Sequence, residues 1–341
     1  MDCIVLEEPR RLSLTSIADP EPPGPNEALV SVQRVGICGT DISGYLGKHP
    51  YFNYPLIPGH ELGVEVLAVG SEVNTVSVGD RCSVEPYMND PASFASRRGR
   101  SNCCNRLQVL GVHCDGGMRE RFVLPACKLH SSEILSMEQL ALVETLTIGC
   151  HAVDRAGISS GENLLLIGAG PIGLSVLEFA RLAGGHITVM DRNAERLKFC
   201  SETMGVDHTV EFHGEGAETA RLQEITEGNL FDVVIDATGN TASMAGAIEY
   251  VAHTGRLVFV GIVTDDIAIS DPKFHAREAT LLASRNALPG DFRRVIGSIE
   301  SGDIDTQPWI THRTELNQLS DVFASYTRPE TGVIKAIVAL P

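Results

Sequence analysis

Positive charge is scarce in this sequence: 27 Lys and Arg stand against 44 Asp and Glu, a net charge of −17 over 341 residues. Binding a phosphate backbone takes clustered Lys and Arg, so the balance speaks against a nucleic-acid partner. No stretch approaches the roughly 20 apolar residues of a membrane span, which speaks against a membrane protein. Residues 1–8 have no basic start and only a short apolar run, unlike a signal peptide. The expectation is a soluble, cytoplasmic protein. A disulfide framework is missing as well. The nine cysteines are an odd count scattered between Cys3 and Cys200, and most read as reduced thiols packed as small apolar residues. There is no internal repeat and no low-complexity tract.

What is there is a chain long enough for two domains, since single cores stop growing near roughly 250–300 residues. Residues 1–145 are rich in Gly and Pro, with short strand-like runs at 28–35, 63–69 and 80–84. Turn signals at 23–25 and at Gly79-Asp80 punctuate them, which predicts a mostly antiparallel β domain. Residues 146–285 change character: apolar runs at 163–167, 186–190, 232–236 and 256–260 alternate with helical stretches such as 172–183 and 194–204. That alternation predicts βαβ units and a doubly wound parallel sheet covered on both faces, the α/β class. Residues 286–341 end in another strand-like run, 333–340, and are too short for a domain of their own. They are expected to fold back onto the first zone.

Between the strand-like run 163–167 and an apolar helix stands Gly168-Ala169-Gly170-Pro171-Ile172-Gly173. This is G-x-G-x-x-G in the strand–turn–helix context that marks a Rossmann dinucleotide site. Gly168 permits the tight turn, Gly170 lets backbone approach a pyrophosphate, and Gly173 lets the helix pack close to the strand. The diphosphate is expected over Pro171 and Ile172 at the helix N-terminus, where N–H groups are free. The next strand ends at Asp191, whose carboxylate accepts from ribose hydroxyls and repels a 2′-phosphate, favouring NAD over NADP. Arg192 follows directly and is able to pair a phosphate; Arg196 is a weaker candidate for the adenine rim. Thr238, Gly261 and Asn286 complete the candidate cofactor set. Asp236 reads equally as a cofactor contact or a turn-capping carboxylate.

Cys38 sits in Gly36-Ile37-Cys38-Gly39-Thr40-Asp41, and His60-Glu61 follow Gly59 after a Pro-rich loop. Thiolate, imidazole and carboxylate suit a tetrahedral ion such as Zn²⁺, with one position left for water or substrate. Spacing alone leaves ordinary core burial of a lone Cys and a lone His as the commoner outcome.

These segments, with Pro58-Gly59-His60-Glu61, Gly79-Asp80-Arg81, Leu142-Val143-Glu144-Thr145 and the glycine fingerprint, resemble in order and spacing the zinc-dependent medium-chain alcohol and polyol dehydrogenases. The resemblance covers the whole chain. Asp271-Pro272-Lys273-Phe274-His275 and Ala283-Ser284-Arg285-Asn286-Ala287 look most like the L-galactonate 5-dehydrogenase type, in a branch shared with sorbitol and threonine dehydrogenases. It implies a GroES-like catalytic domain made of residues 1–145 and 286–341 beside a Rossmann NAD-binding domain of residues 146–285. It implies Cys38, His60 and Glu61 as zinc ligands, with Glu144 a fourth ligand or one water removed. Thr40 would carry the proton outward. Tyr45, His49 and Phe52 are candidates to line the substrate cleft or to serve as loop packing. Arg285 is a candidate clamp for a substrate carboxylate, with an ion pair to Glu144 or a cofactor contact as the alternative.

Two departures from the family pattern stand out. Relatives with a structural zinc hold it on four cysteines; the corresponding positions here are Asp90, Ser93, Ser96 and Cys104, so one zinc per chain is expected. Ser43 stands where related enzymes often have a relay His, and Ser takes up no proton near neutral pH. A smaller mismatch is Val64, where Gly is usual, with Gly63 beside it to compensate. The implied activity is NAD-linked oxidation of a secondary hydroxyl on a sugar acid or polyol to a ketone. The alternatives are a neutral polyol or L-threonine dehydrogenase, and a non-catalytic NAD-binding protein. A homodimer or homotetramer is expected.

Overall fold

A computed structural model describes residues 1–214 and 216–341. Its backbone divides into two compact units, Met1–Thr145 with Leu288–Pro341, and Leu146–Ala287.

The first unit is built on a seven-stranded sheet. Its path runs Ile310–Glu315, Lys335–Ala339, Glu27–Ile37, Glu61–Val69, Arg81–Val84 and Leu129–Ser131, with Arg121–Pro125 also pairing Glu27–Ile37. All pairings are antiparallel except that of Ile310–Glu315 with Lys335–Ala339. The tail of the chain thus enters the sheet of the N-terminal zone. Alternate residues of Glu27–Ile37, among them Ala28, Val30 and Val32, are fully buried and anchor the core with Val64, Val66 and Phe122. The expected compensation at position 63 has a geometric reason. A Cβ on Gly63 would stand 2.3 Å from the Met137 carbonyl, so the close approach of helix to strand falls at Gly63, while Val64 is free to fill the core.

The second unit carries a six-stranded parallel sheet. Its order is His208–Glu211, His186–Asp191, Asn163–Ile167, Phe231–Asp236, Val251–Phe259 and Thr280–Ala283. Counted along the unit this is 3-2-1-4-5-6, the doubly wound dinucleotide-binding order. Leu164, Leu165 and Leu166 are fully buried, as expected of a parallel strand covered on both faces. The edge strands His208–Glu211 and Thr280–Ala283 escaped the sequence reading. Each buries few side chains, because an edge strand is held by backbone pairing on one side and needs no apolar run. Among the described residues, no helix is long and apolar enough to cross a membrane.

Candidate metal and cofactor sites

In the first unit the strand Glu27–Ile37 delivers Cys38 at its end, as N-cap of the helix Gly39–Tyr45. The antiparallel partner Glu61–Val69 begins opposite it, with Gly36 facing Glu61. That register brings together residues far apart in sequence. The ligand atoms of Cys38, His60 and Glu61 all lie within 4.8 Å of one another. Gly36 is required for this: a Cβ there would meet Glu61 Oε2 at 2.0 Å. Among the described residues it is the one such group of three or more His, Cys, Asp and Glu side chains.

The surroundings hold these side chains in place. Asp41, 1% exposed, accepts the Cys38 N–H at 2.9 Å and the Gly59 N–H at 3.3 Å. Its Oδ1 lies 3.9 Å from His60 Nδ1, an atom that is buried and makes no hydrogen bond. At that separation the two do not hydrogen-bond, but the carboxylate lies on the side where the non-ligating nitrogen of a metal-bound imidazole would donate. Burial works against a charged His60, but Cys38, Asp41 and Glu144 around it outweigh that and raise it well above its ordinary pKa. Such a concentration of negative donors is what a divalent cation neutralises. Lys335, fully enclosed, donates to both Glu61 oxygens at 2.6 and 2.7 Å, to the Ile37 carbonyl at 3.4 Å and to Thr145 Oγ1 at 3.1 Å. Burial pushes Glu61 up, yet Lys335 and His60 prevail and hold it below the usual carboxylate range.

Glu144, on the helix Met137–Ala156, is also buried but does not join the compact set. Burial and Glu61 raise its pKa against the opposing pull of His60, Tyr87 and Lys335. Tyr87 OH donates to Glu144 Oε1 at 2.5 Å. Thr40 and Ser43 lie half-buried on the helix Gly39–Tyr45. Tyr45 packs its ring on Phe323 at 4.9 Å, and Phe52 fills an apolar cluster with Leu6, Leu56 and Val112. His49 stands edge-on to Phe52 at 5.0 Å, and burial lowers its pKa.

Asp90, Ser93, Ser96 and Cys104 do converge, on hydrogen bonds. Ser93 Oγ donates to Ser96 Oγ at 2.8 Å, and the Asp90 and Arg106 N–H groups each reach Cys104 Sγ at 3.4 Å. Arg106 pairs with the Asp90 carboxylate. The donor set is one thiol, two hydroxyls and one carboxylate already paired, which does not fit a tightly held structural zinc.

In the second unit the fingerprint glycines have distinct reasons. Gly168 has φ +101°, and a Cβ on Gly173 would meet the Gly168 carbonyl at 1.8 Å. A Cβ on Gly170 would meet only Arg196 Nη1, at 3.6 Å, so the loop leaves open space beside a guanidinium. That is a cradle for a pyrophosphate. The helix Pro171–Leu182 starts there with Pro in its first turn. Asp191 accepts the Ala169 N–H at 2.7 Å and the Asn193 N–H at 2.8 Å; Arg192 is exposed. Asp236 takes Thr238 N–H, Thr238 Oγ1 and Ser243 Oγ at 2.8, 2.6 and 2.6 Å, which fits its turn-capping reading. Thr238 is held next to Gly168, and Gly261 next to Gly239. Asn286 has φ +49° and a buried Nδ2 with no hydrogen-bond partner; Arg285 beside it is exposed. Sequence reasoning missed Asp41, Tyr87 and Lys335. Only Asp41 left a local signal, the Cys-x-x-Asp spacing of a capping box.

Comparison with known proteins places these sites in context. Residues 24–133 match the alcohol dehydrogenase GroES-like domain family, and residues 171–301 match the zinc-binding dehydrogenase family. The L-galactonate-5-dehydrogenase of Escherichia coli K12 is 34% identical, over 99% of this chain and 98% of the relative. The D-altritol 5-dehydrogenase of Agrobacterium fabrum C58 is 31% identical, over 88% of each chain. A crystal structure of an alcohol dehydrogenase from Escherichia coli CFT073, complexed with NADH, superposes with a TM-score of 0.92 at 27% identity, covering 99% of both chains.

Proposed function

The chain belongs to the zinc-binding alcohol and polyol dehydrogenases, and from that premise we propose that it oxidises a secondary hydroxyl of a sugar acid, of the L-galactonate kind, or of a polyol to a ketone. The observation that carries this reading is the buried convergence of Cys38, His60 and Glu61 in a chain that also holds a complete dinucleotide fingerprint. We assign those three residues as zinc ligands, with Glu144 beside them. The donor set fits a borderline-soft ion. When bound, zinc would supply a Lewis acid that eases ionisation of the substrate hydroxyl, and NAD would supply the hydride acceptor.

The protein's own groups do the rest. Lys335 fixes Glu61, and Asp41 stands behind His60 without bonding it, so the carboxylate is set before an ion arrives. Thr40, second residue of the helix that Cys38 caps, would carry the proton outward; Ser43 leaves that path without an imidazole. The loop at 168–173 would hold the diphosphate at the N-terminus of Pro171–Leu182, and Asp191 at the next strand end would accept from the adenosine ribose. Arg196, whose guanidinium stands beside Gly170, would serve the phosphates in place of the adenine rim expected from the sequence; exposed Arg192 stays a phosphate candidate, and Thr238, Gly261 and Asn286 would complete the cofactor wall. Arg285 is a candidate clamp for a substrate carboxylate, with an ion pair to Glu144 or a cofactor contact as the alternative. Tyr45 and Phe52 shape the substrate side by packing the segment that carries Thr40 rather than by presenting polar groups.

All nine cysteines are free thiols, which supports a reducing, cytoplasmic setting. The edge strand Thr280–Ala283, with Leu281 40% exposed, supports assembly with a second copy as a homodimer or a tetramer of such pairs. The test is NADH formation over a panel of sugar acids and neutral polyols, with NADP as the comparison cofactor and with chelated protein as the control. A sugar acid should give the highest kcat/KM, and chelation should abolish turnover. Preference for a neutral polyol would move the assignment toward the D-altritol kind; turnover untouched by removal of zinc would overturn it.

A further inference from the structure

The resemblance leaves Glu144 as a fourth ligand or one water removed, and the structure stands it outside the set of three. The ligand atoms of Cys38, His60 and Glu61 form a set within 4.8 Å that does not include Glu144, although the charges of His60 and Glu61 both reach it. Its Oε1 is instead held by the Tyr87 hydroxyl at 2.5 Å, with Tyr87 2% and Glu144 5% exposed. An O–H donor on a carboxylate is a charge-assisted bond, about twice as strong as a neutral one.

The tether is anchored. Tyr87 lies on the short strand Tyr87–Met88, paired with Gln108–Val109. Its ring meets the edge of Phe292 at 6.3 Å, and Phe292, fully buried, lies flat on His130 at 4.8 Å and 14°. His130 is fixed in turn by Glu85 at 3.3 Å, and Glu85 by Lys128 at 2.5 Å.

We propose that Tyr87 is a positioning residue whose hydroxyl keeps Glu144 out of the set of side chains that bind the ion, so that three protein ligands hold it and not four. The inference rests on the assignment of Cys38, His60 and Glu61 as ligands. One thiolate and one carboxylate balance a divalent charge; a second carboxylate would make the centre net negative and blunt its pull on a substrate hydroxyl. Three protein ligands also leave a position open for chemistry, where four close the site as in structural centres. Tyr87 therefore keeps a site rich in carboxylates catalytic.

Cobalt(II) substitution of the full-length protein tests this, because its visible bands report ligand number and type independently of turnover. Tyr87→Phe should reshape and weaken the bands as Glu144 moves in, and should lower kcat about 10- to 100-fold with KM changed far less. Tyr87→Phe/Glu144→Gln should return to the wild-type spectrum, since an amide is a poor ligand. Glu144→Gln alone should leave the spectrum close to wild type, and this arm stands even if Tyr87→Phe fails to fold. Superimposable spectra for wild type and Tyr87→Phe overturn the proposal. So does a large change in Glu144→Gln alone, which would make Glu144 a ligand already. Wild-type protein that takes up cobalt no better than a Cys38→Ser variant defeats the ligand assignment itself, a separate failure visible before any Tyr87 variant is made.

Discussion

Replacing Lys335 by Met probes the pair on which Glu61, assigned above as a zinc ligand, depends. Lys335 and Glu61 side chains are each 1% exposed, and the ammonium meets both carboxylate oxygens. Met keeps the length and apolar stem of the lysine, so the perturbation is the loss of charge and donors. The carboxylate is left in a site where burial already drives its pKa up, and it must either stay charged without a partner or take up a proton. Removing one member of a buried pair costs about 3–5 kcal/mol. At about 2–4 °C per kcal/mol for a unit of this size, the transition carrying the first unit should fall by roughly 6–20 °C in chelated protein. With zinc bound, the ion neutralises Glu61 in the lysine's stead, and the deficit should shrink to less than half. Lys335→Met/Glu61→Gln should recover much of the loss in chelated protein, because no charge is then stranded. The assay is scanning calorimetry of the wild type and both variants, chelated and zinc-loaded. A chelated Lys335→Met protein melting within about 2 °C of wild type would refute the buried-charge reasoning. Equal deficits with and without zinc would mean that Glu61 does not meet the ion.

Other expectations separate fold from function. Gly173→Ala should unfold or strongly destabilise the second unit, because its Cβ would stand 1.8 Å from the Gly168 carbonyl, whereas Gly170→Ala has room, should fold normally and should weaken NADH binding in a fluorescence titration; equal stabilities would contradict the geometry. Asp191→Ala should raise the KM for NAD and narrow the preference over NADP, since the ribose acceptor, the repelling charge and two loop hydrogen bonds vanish together; an unchanged ratio of kcat/KM values would place the discrimination elsewhere. Metal analysis of purified protein should give one zinc per chain, and Cys104→Ala should loosen the lobe around Asp90 and Ser96 without changing that number; two tightly held zincs would refute the reading of the lobe. Thr40→Ala should depress kcat severely, as general acid–base assistance is worth about 10²–10⁴-fold, while Ser43→His should leave KM unchanged; near-normal turnover in Thr40→Ala would remove Thr40 from the proton path.

The parts of this protein legible in its sequence are those whose physics is local. The fingerprint at 168–173 could be read because a tight turn, a bare backbone and a close helix each demand glycine within a few residues. Buried parallel strands could be read because both faces are covered and the apolar run is continuous. The edge strands His208–Glu211 and Thr280–Ala283 carry no such pattern, since Val210 is the one side chain buried in either and backbone pairing does most of the rest. Cys38, His60 and Glu61 were individually ambiguous and gained meaning only together, through motifs shared with a family.

Chain chemistry by itself determined the two-part architecture, the dinucleotide turn and the kinds of donor offered to a metal. Tertiary structure decided which of those donors meet. The facing of Gly36 and Glu61 is a matter of strand register, and the lysine that fixes Glu61 arrives from 274 residues away. The tyrosine that holds Glu144 lies 57 residues before it on a strand of two residues. Such partners leave no spacing to detect, because a buried charge selects its neighbours by distance in space, where a low-dielectric interior makes each contact count, and not by distance along the chain.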